Sequence, residues 1–422
     1  MMLRAFVPRA HLLPLLTALS AGCGFLPGEG EGTDSDTDAN ADTDANEPSE
    51  SATSGETVDT GDTGDTEVSP STREVDIVFV VDNSGSMSAS QAKLATSIQA
   101  LTDTLDAAVP PVDYRIAVTT TDNGNPFCSS NPEAGEFRAT SCRQRISEFV
   151  FGGTEIVDMT DEACLDICTH EDLNLVEPWI AVNRSTDTTN LPNGDVVGAL
   201  RCMLPQGLDG CGFEQPLESL HKALLRSDTA DEPSYGFSRP GALLAVAIVT
   251  DEDDCSHNTD HEAIFDPDGN RVFWGNQDVL FPSSAVCWNA GVQCTGADPY
   301  DCVTENFDVD GNPTLDPDAA VLHPLSQYID DLNQRGAYVI AINGVGANGE
   351  PVYTDGDDAQ FRDDFGIGAG CTGTEGDNAV PPVRVRALVD SVAGPGNLHS
   401  ICDDDYLPAL TSMGQGILAR LP

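Results

Sequence analysis

Oxygen-bearing side chains with the spacing of a cation-binding loop follow the apolar segment 75–81. Asp82, Ser84 and Ser86 stand at alternate positions, and Gly85 separates the two serines. Hard divalent cations such as Mg²⁺ and Ca²⁺ take oxygen ligands, and a glycine lets the loop turn tightly. The pattern therefore predicts that these three side chains bind a divalent cation.

A second apolar segment, residues 242–250, ends at Asp251. Continuous apolar, β-branched runs are typical of parallel strands that are covered on both faces, and the segment before Asp82 has the same character. Open α/β sheets bind ligands at the carboxyl ends of their strands. We therefore expect Asp82 and Asp251 to lie at the same edge of one sheet.

The Asp-x-Ser-x-Ser pattern after a buried strand, with Asp251 after another, resembles the metal-ion-dependent adhesion site of the von Willebrand factor A domain family. The resemblance covers about residues 73–421 and implies a Rossmann-like α/β fold, doubly wound around a mostly parallel sheet. It also implies a divalent cation, usually magnesium, with calcium and manganese as alternatives. In that family two serines, a threonine and an aspartate hold the ion, and an open position accepts a carboxylate from a protein partner.

Glu214 stands where this family usually has its threonine, just before a predicted helix. Two interpretations of Glu214 stay open. Its carboxylate could cap the helix that follows, or it could coordinate the cation together with Asp82 and Asp251.

The amino-terminal segment has the pattern of an export signal. Arg4 and Arg9 precede the short apolar stretch 12–21, which is too short to span a bilayer. Residues 1–22 resemble a bacterial lipoprotein signal peptide, which implies that Cys23 is lipidated and becomes the mature amino terminus. The alternative is ordinary secretion without a lipid. We expect a cell-envelope protein that is anchored to a bacterial membrane through Cys23, at the outer membrane or cell surface.

Residues 24–72 contain 14 acidic residues and no basic residue, within repeats of Asp and Thr. A segment of this composition cannot bury a core, so residues 23–72 are predicted to form a lipidated cysteine followed by a disordered acidic stalk. The whole chain has a net charge of −51. This charge argues against nucleic acid and anionic membrane surfaces as partners.

The chain has 13 cysteines, and an even number follows Cys23. In an exported protein these predict up to six disulfides, whose pairing cannot be deduced from the sequence. Cys202 and Cys211 are close enough in sequence to close the loop before Glu214. The alternative for Cys164 and Cys168 is a zinc site with His170, but a second ligand pair is not evident.

The other apolar patterns predict alternating helices and strands, as in a parallel α/β sheet. Helices are predicted over residues 88–108, 217–226, 320–335, 384–392 and 404–421. Further strands are predicted over residues 113–119 and 337–343. Two Cys-rich insertions are expected at about residues 122–200 and 252–318, the first with a hairpin within residues 145–159.

Two acidic stretches invite other interpretations. Segments 265–270 and 307–312 alternate Asp with Asp or Asn, but they lack the spacing of a calcium loop and predict turns. Asp253 and Asp254, next to Asp251, are predicted to belong to a solvated acidic loop, with an auxiliary cation site as the alternative.

Three functions follow from these patterns. The first is cation-dependent adhesion to a protein partner, and the second is a structural envelope component whose cation only stabilises the fold. The third is a hydrolase that uses Ser84 or Ser86 with His257 or a metal-bound water. Because the sequence has neither a G-x-S-x-G nor an H-E-x-x-H motif, we do not expect an enzyme.

Overall fold

The computed structural model describes residues 73–152, 156–374 and 376–422. The predicted signal peptide, Cys23 and the acidic stalk lie outside the described residues. Within the described ranges, none of the helices has both the length and the apolar character needed to cross a membrane.

The described residues form short and long strands and helices that alternate along the chain. The strands are β1 (Arg73–Val81), β2 (Val112–Thr120), β3 (Val150–Phe151), β4 (Val157–Asp158), β5 (Ile180–Asn183), β6 (Thr188–Thr189), β7 (Leu243–Val249), β8 (Val292–Thr295), β9 (Asp301–Thr304), β10 (Tyr338–Asn343), β11 (Cys371–Thr372), β12 (Asn378–Ala379) and β13 (Leu398–Ser400). The α-helices are α1 (Ser88–Ser97), α2 (Gln99–Asp106), α3 (Val196–Met203), α4 (Pro216–Asp228), α5 (Ala285–Gly291), α6 (Leu325–Gln334), α7 (Ala359–Phe365), α8 (Val383–Val392) and α9 (Leu407–Arg420).

A seven-stranded sheet in the order β13-β10-β7-β1-β2-β5-β6 forms the centre of the fold. The strands from β13 to β2 are parallel, whereas β5 and β6 pair antiparallel at one edge. This confirms the predicted mixed α/β class with a mostly parallel sheet. The chain passes outwards from β1 through β2 and then returns to β7 on the other side of β1. The crevice at the carboxyl ends of β1 and β7 is therefore a switch point of the kind where such sheets bind ligands.

Both faces of the sheet are covered, which explains why β1 is apolar at consecutive positions. Ile77 and Phe79 pack into a cluster on one face, and Val78 and Val80 pack into a separate cluster on the other. Asp76 is the polar exception within residues 75–81 of this strand. It is buried, and its carboxylate forms an ion pair with Arg239 at 2.7 Å.

The predicted helices and strands are present, with differences at their ends. The helix predicted over residues 88–108 is two helices, α1 and α2, which are interrupted at Ile98. Helix α6 begins at Leu325 instead of residue 320, because its N-cap Pro324 has extended backbone angles and a proline disfavours helical geometry in the residue before it.

The first insertion is less separate from the sheet than predicted. Its strands β5 and β6 extend the central sheet next to β2, whereas the expected hairpin is the small separate pair β3 and β4. The second insertion has its own hairpin of β8 and β9 and its own apolar cluster. Segment 307–312 forms a turn, in which Asp308 accepts hydrogen bonds from the amides of Asp310 and Asn312.

Six disulfides join the described cysteines, as the even count allowed. The pairs are Cys128–Cys211, Cys142–Cys164, Cys168–Cys202, Cys255–Cys287, Cys294–Cys302 and Cys371–Cys402. The suggested pairing of Cys202 with Cys211 is wrong, because each has a partner in another segment. The zinc alternative is also wrong, because Cys164 and Cys168 are both disulfide-bonded and have no thiolate to offer.

Candidate metal centre

Asp82 lies at the switch point, directly after β1, and is fully buried. Its amide donates to the carbonyl of Val249 at the end of β7 (2.9 Å). Its Oδ1 accepts a hydrogen bond from the amide of Ser84 (2.8 Å), and its Oδ2 accepts one from the hydroxyl of Thr250 (2.6 Å). The ends of two buried strands therefore set the position and orientation of this carboxylate.

The two serines of the loop are adjacent. The Oγ atoms of Ser84 and Ser86 are 3.0 Å apart, and Ser84 is buried whereas Ser86 is exposed. Gly85 between them lies against the ring of Phe151, at a place where a Cβ atom would be 2.6 Å from the ring. A glycine is therefore required at this position for the loop to pack against the β3 strand.

Asp251 follows β7 and faces the same loop. Its carboxylate accepts a hydrogen bond from the side chain of Ser86, while its Oδ1 has no hydrogen-bond partner among the described residues. Burial, and then the nearby charge of Asp82, raise the pKa of Asp251 to about 8. The structure thus brings Asp82, Ser84, Ser86 and Asp251 together.

Glu214 joins this group from the segment before α4 and is fully buried. The hydroxyl of Thr121 donates to its Oε2, and the carboxylates of Asp82 and Glu214 are within hydrogen-bonding distance. Its Oε1 has no partner among the described residues. Burial raises the pKa of Glu214 well above its usual value, and the charges of Asp82 and Glu252 add to this effect.

The helix-capping interpretation of Glu214 is wrong. The residue at the N-cap of α4 is Gln215, and the first-turn amides of Leu217 and Glu218 donate to Asp254 Oδ1 (3.2 Å) and Ser256 Oγ (2.9 Å). Because other residues cap the helix, the carboxylate of Glu214 remains available to the cluster around Asp82.

The solvated loop predicted at Asp253 and Asp254 is also wrong, because both residues are buried. Asp254 Oδ2 accepts a hydrogen bond from Nε of the buried Arg384 (2.9 Å), and the Arg384 amide donates to Asp253 Oδ1 (3.2 Å). The charge of Arg384 and the amides of α4 thus balance the carboxylates that follow Asp251 in the chain.

Sequence reasoning missed several polar residues of this centre. Thr121 follows β2 and contacts Glu214, and Glu252 is a buried carboxylate next to Asp251. Gln91 of α1 donates to the carbonyls of Asp82 (2.7 Å) and Gly207 (2.8 Å). A polar residue within two positions after the end of each predicted strand was the available signal for Thr121 and Glu252, whereas Gln91 in an amphipathic helix gave none.

The residues at this centre fit a hard divalent cation. Glu214 Oε1 and Asp251 Oδ1 are buried oxygen atoms without partners among the described residues, and the carboxylates raise one another's pKa values. Buried carboxylates in such a group need a positive charge to ionise together. Carboxylates and hydroxyls are oxygen ligands, which Mg²⁺ and Ca²⁺ prefer. Asp82, Ser84, Ser86, Glu214 and Asp251 are the residues that would hold the ion.

His257 gives no support to the hydrolase alternative. It is buried against Phe265, with ring centroids 5.1 Å apart, and its Nε2 is 3.6 Å from Glu262. Among the described residues, no hydrogen bond or ion pair joins His257 to Ser84 or Ser86.

Comparisons with known proteins identify only distant structural neighbours. No protein-family model matches this chain, and no curated protein sequence matches it significantly. The pilus adhesin SpaC from Lactobacillus rhamnosus GG matches with 12% identity and a TM-score of 0.35, over 83% of this chain and 31% of SpaC. The adhesive tip pilin GBS104 from Group B Streptococcus agalactiae matches with 12% identity and a TM-score of 0.31, over 82% of this chain and 98% of GBS104.

Proximal thread matrix protein 1 from the mussel byssus matches with 10% identity and a TM-score of 0.30, over 82% of this chain and 46% of that protein. This chain thus spans less than a third of the length of SpaC. At these TM-scores the likeness establishes neither a common fold nor a common function, so function has to be argued from the site.

Proposed function

We propose that this chain is an exported, lipid-anchored binding protein of the von Willebrand factor A type, in which a bound divalent cation captures a carboxylate of a protein partner. The observation that carries the proposal is the convergence of Asp82, Ser84, Ser86, Glu214 and Asp251, with two buried oxygen atoms left unpartnered among the described residues. The position of this centre at the switch point of a doubly wound sheet also supports the proposal.

The candidate ligands differ in their solvent exposure, which supports access of a partner to the centre from one side. Asp82 and Glu214 are fully buried, whereas Asp251 is half-buried and Ser86 is exposed. A cation held between them is reached by solvent from the side of Ser86 and Asp251. A partner's carboxylate would complete the coordination of the ion from that side, because the ion's other neighbours are protein oxygens.

A structural cation is the second candidate function, and the charge of the centre favours it. Asp82, Glu214 and Asp251 together carry three negative charges when ionised, which exceeds the charge of one divalent ion. An incoming carboxylate would then meet a net negative centre, and the attraction that drives capture would be weakened. In this case the cation stabilises the fold without binding a partner.

A peptide array distinguishes the two functions. Each peptide carries one central Asp or Glu, and a matched array carries Asn or Gln at that position. We expect the full chain to bind only the acidic peptides, only with Mg²⁺ or Mn²⁺, and we expect Ser86→Ala to abolish this binding. If chelation lowers the melting temperature but the acidic peptides are never bound preferentially, the cation is structural and the adhesion proposal fails.

A further inference from the structure

An exposed apolar patch lies on the second insertion. We call it the insertion patch, and its residues are Val272, Val279, Leu280, Phe281 and Val309. Leu280 is 74% exposed and Phe281 is 51% exposed, and the three valines are also exposed. Large apolar side chains that are grouped in water often mark a binding surface, whereas single exposed ones are ordinary.

Three segments come together to form the insertion patch. A Cβ atom on Gly311 would lie 2.9 Å from a methyl group of Val272, and the side-chain Nδ2 of Asn270 donates to the carbonyl of Val309 (2.7 Å). Nη1 of Arg271 donates to the carbonyls of Gln277 (2.8 Å) and Val279 (3.1 Å). The three segments that carry the apolar residues therefore lie next to one another.

The loop that carries Leu280 and Phe281 is held in place. Besides its bonds to the loop, Arg271 donates from Nε to the carbonyl of Pro267 (2.7 Å) and stacks on Trp274 at 4.6 Å. A loop that is already ordered loses less conformational entropy when a partner binds it. This order suits a surface that presents Phe281 as an anchor.

The charge around the insertion patch limits the kind of partner. Residues 260–318 contain 12 acidic residues and one basic residue, Arg271, whose guanidinium bonds backbone carbonyls. Asp268, Asp278 and Asp310 are exposed next to the patch segments. The negative charges next to the patch repel acidic or anionic surfaces. Such surfaces include a second copy of this chain and an anionic membrane.

The segment that follows the insertion patch is bonded to the neighbourhood of the cation centre. Three residues after Phe281, the hydroxyl of Ser284 donates to the carbonyl of Gly212 (2.9 Å) and hydrogen-bonds the carboxylate of Glu252. Glu252 is the direct neighbour of Asp251 in the chain. The segment that carries Phe281 is therefore linked through Ser284 to the segment that carries Asp251.

We propose that the insertion patch is a docking surface for a protein partner that presents an apolar face bordered by lysine or arginine side chains. Phe281 and Leu280 pack on this face, and the surrounding carboxylates pair with the basic border. This inference rests on the proposed protein-binding function, but it does not require the cation.

The test uses short amphipathic helical peptides as probes for the full chain. One peptide has a leucine face with lysine borders, a second replaces the leucines by serine, and a third replaces the lysines by glutamate. We expect the leucine-lysine peptide to bind in EDTA as well as in Mg²⁺, and Phe281→Asp to weaken it about tenfold. Val176→Asp adds the same charge at another exposed apolar residue of the chain and should leave binding unchanged.

Non-specific attraction to this acidic protein predicts a different result. In that case Phe281→Asp binds the leucine-lysine peptide as tightly as the wild type or more tightly, and the serine-lysine peptide binds equally well. Either outcome overturns the docking surface, and so does preferential binding of anionic vesicles. Leu280→Asp, at the more exposed position, repeats the test if Phe281→Asp lowers the melting temperature. Peptide binding that is lost in EDTA but unchanged in Phe281→Asp also overturns it, whereas the cation-dependent function is tested separately by the acidic peptides.

Discussion

The hydroxyl of Thr121 donates a hydrogen bond to Oε2 of Glu214, and the amide of Gln215 donates to the carbonyl of Thr121 (3.0 Å). Two contacts thus fix the segment before α4 to the residue that follows β2. They orient the Glu214 carboxylate so that Oε2 is satisfied and Oε1 has no partner among the described residues. Oε1 of Glu214 is therefore available to the cation centre. In the family that this sequence resembles, the corresponding position usually holds threonine.

Replacing Glu214 by threonine tests its role as a ligand. We expect Glu214→Thr to lower cation affinity by about tenfold or more. The preference should shift from calcium towards magnesium, because calcium tolerates more carboxylate contacts and magnesium demands a regular octahedron. Binding to a carboxylate-bearing peptide should increase because the centre loses a negative charge. Titration of both cations into the wild type and Glu214→Thr measures the affinity and the preference, with Glu136→Gln at the surface as the control. Indistinguishable isotherms for the wild type and Glu214→Thr would contradict the ligand role.

The stability of the cation-free protein should fall as pH rises. The pKa of Asp251 is raised to about 8 by burial and by Asp82, and that of Glu214 is raised well above its usual value. Ordinary carboxyls ionise near pH 4, so between about pH 4 and 8 the native state binds more protons than the unfolded state. The contribution of these carboxyl groups to native-state stability is therefore fully present below about pH 4 and is lost as the pH rises to about 8.

Magnesium should remove this loss, because the cation stabilises the ionised carboxylates. Melting temperatures in EDTA and in Mg²⁺, at about pH 5 and about pH 8, measure both effects. Asp251→Asn should flatten the pH dependence in EDTA. An identical slope in wild type and variant would show that Asp251 does not titrate in this way.

The disulfide Cys128–Cys211 joins the loop after β2 to the segment that leads to Glu214, across a separation of 83 residues. Replacing both cysteines by serine should lower the free energy of unfolding by about 4–5 kcal/mol in the chain-entropy account, and should weaken cation binding. The pair Cys294–Cys302, with a separation of 8 residues, is the control. Its loss should cost about 2–3 kcal/mol and leave cation affinity unchanged.

Denaturant unfolding and cation titration of the two disulfide variants measure these effects. Equal losses of cation affinity in both variants would mean that general destabilisation, and not the Cys128–Cys211 link between the loop after β2 and the segment before α4, controls the centre.

Cys23→Ser tests the predicted lipid anchor. If Cys23 carries the acyl chains of a lipoprotein, the variant should move from the membrane fraction to the soluble exported fraction. Several acyl chains hold a protein firmly, whereas one chain binds only marginally. Fractionation of the producing cells measures the shift, and an unchanged membrane fraction contradicts the anchor.

The sheet and the grouping of Asp82, Ser84, Ser86 and Asp251 could be predicted because their signals are local. Buried parallel strands are apolar at consecutive positions, and Asp82 and Asp251 lie one and two residues after the ends of two of them. The edge strands β5 and β6 are only four and two residues long, inside an irregular Cys-rich segment, and gave no such pattern.

The cysteine pairing and the environment of Glu214 could not be predicted, because both depend on contacts between distant segments. Cys211 is nine residues from Cys202, yet it pairs with Cys128. Likewise, the capping of α4 by Asp254 and Ser256 depends on how the loop after β7 packs against that helix. Nothing in the sequence next to Glu214 records either contact.

Calorimetric titration of Mg²⁺ and Ca²⁺ into the wild type, Ser84→Ala and Asp251→Ala tests the cation centre most directly. The account predicts that the wild type binds a divalent cation and that each variant binds it at least about tenfold more weakly. The fold should be retained, because buried strands set the backbone. Asp187→Ala, at an exposed carboxylate, is the control. Full cation affinity in both Ser84→Ala and Asp251→Ala would contradict the account.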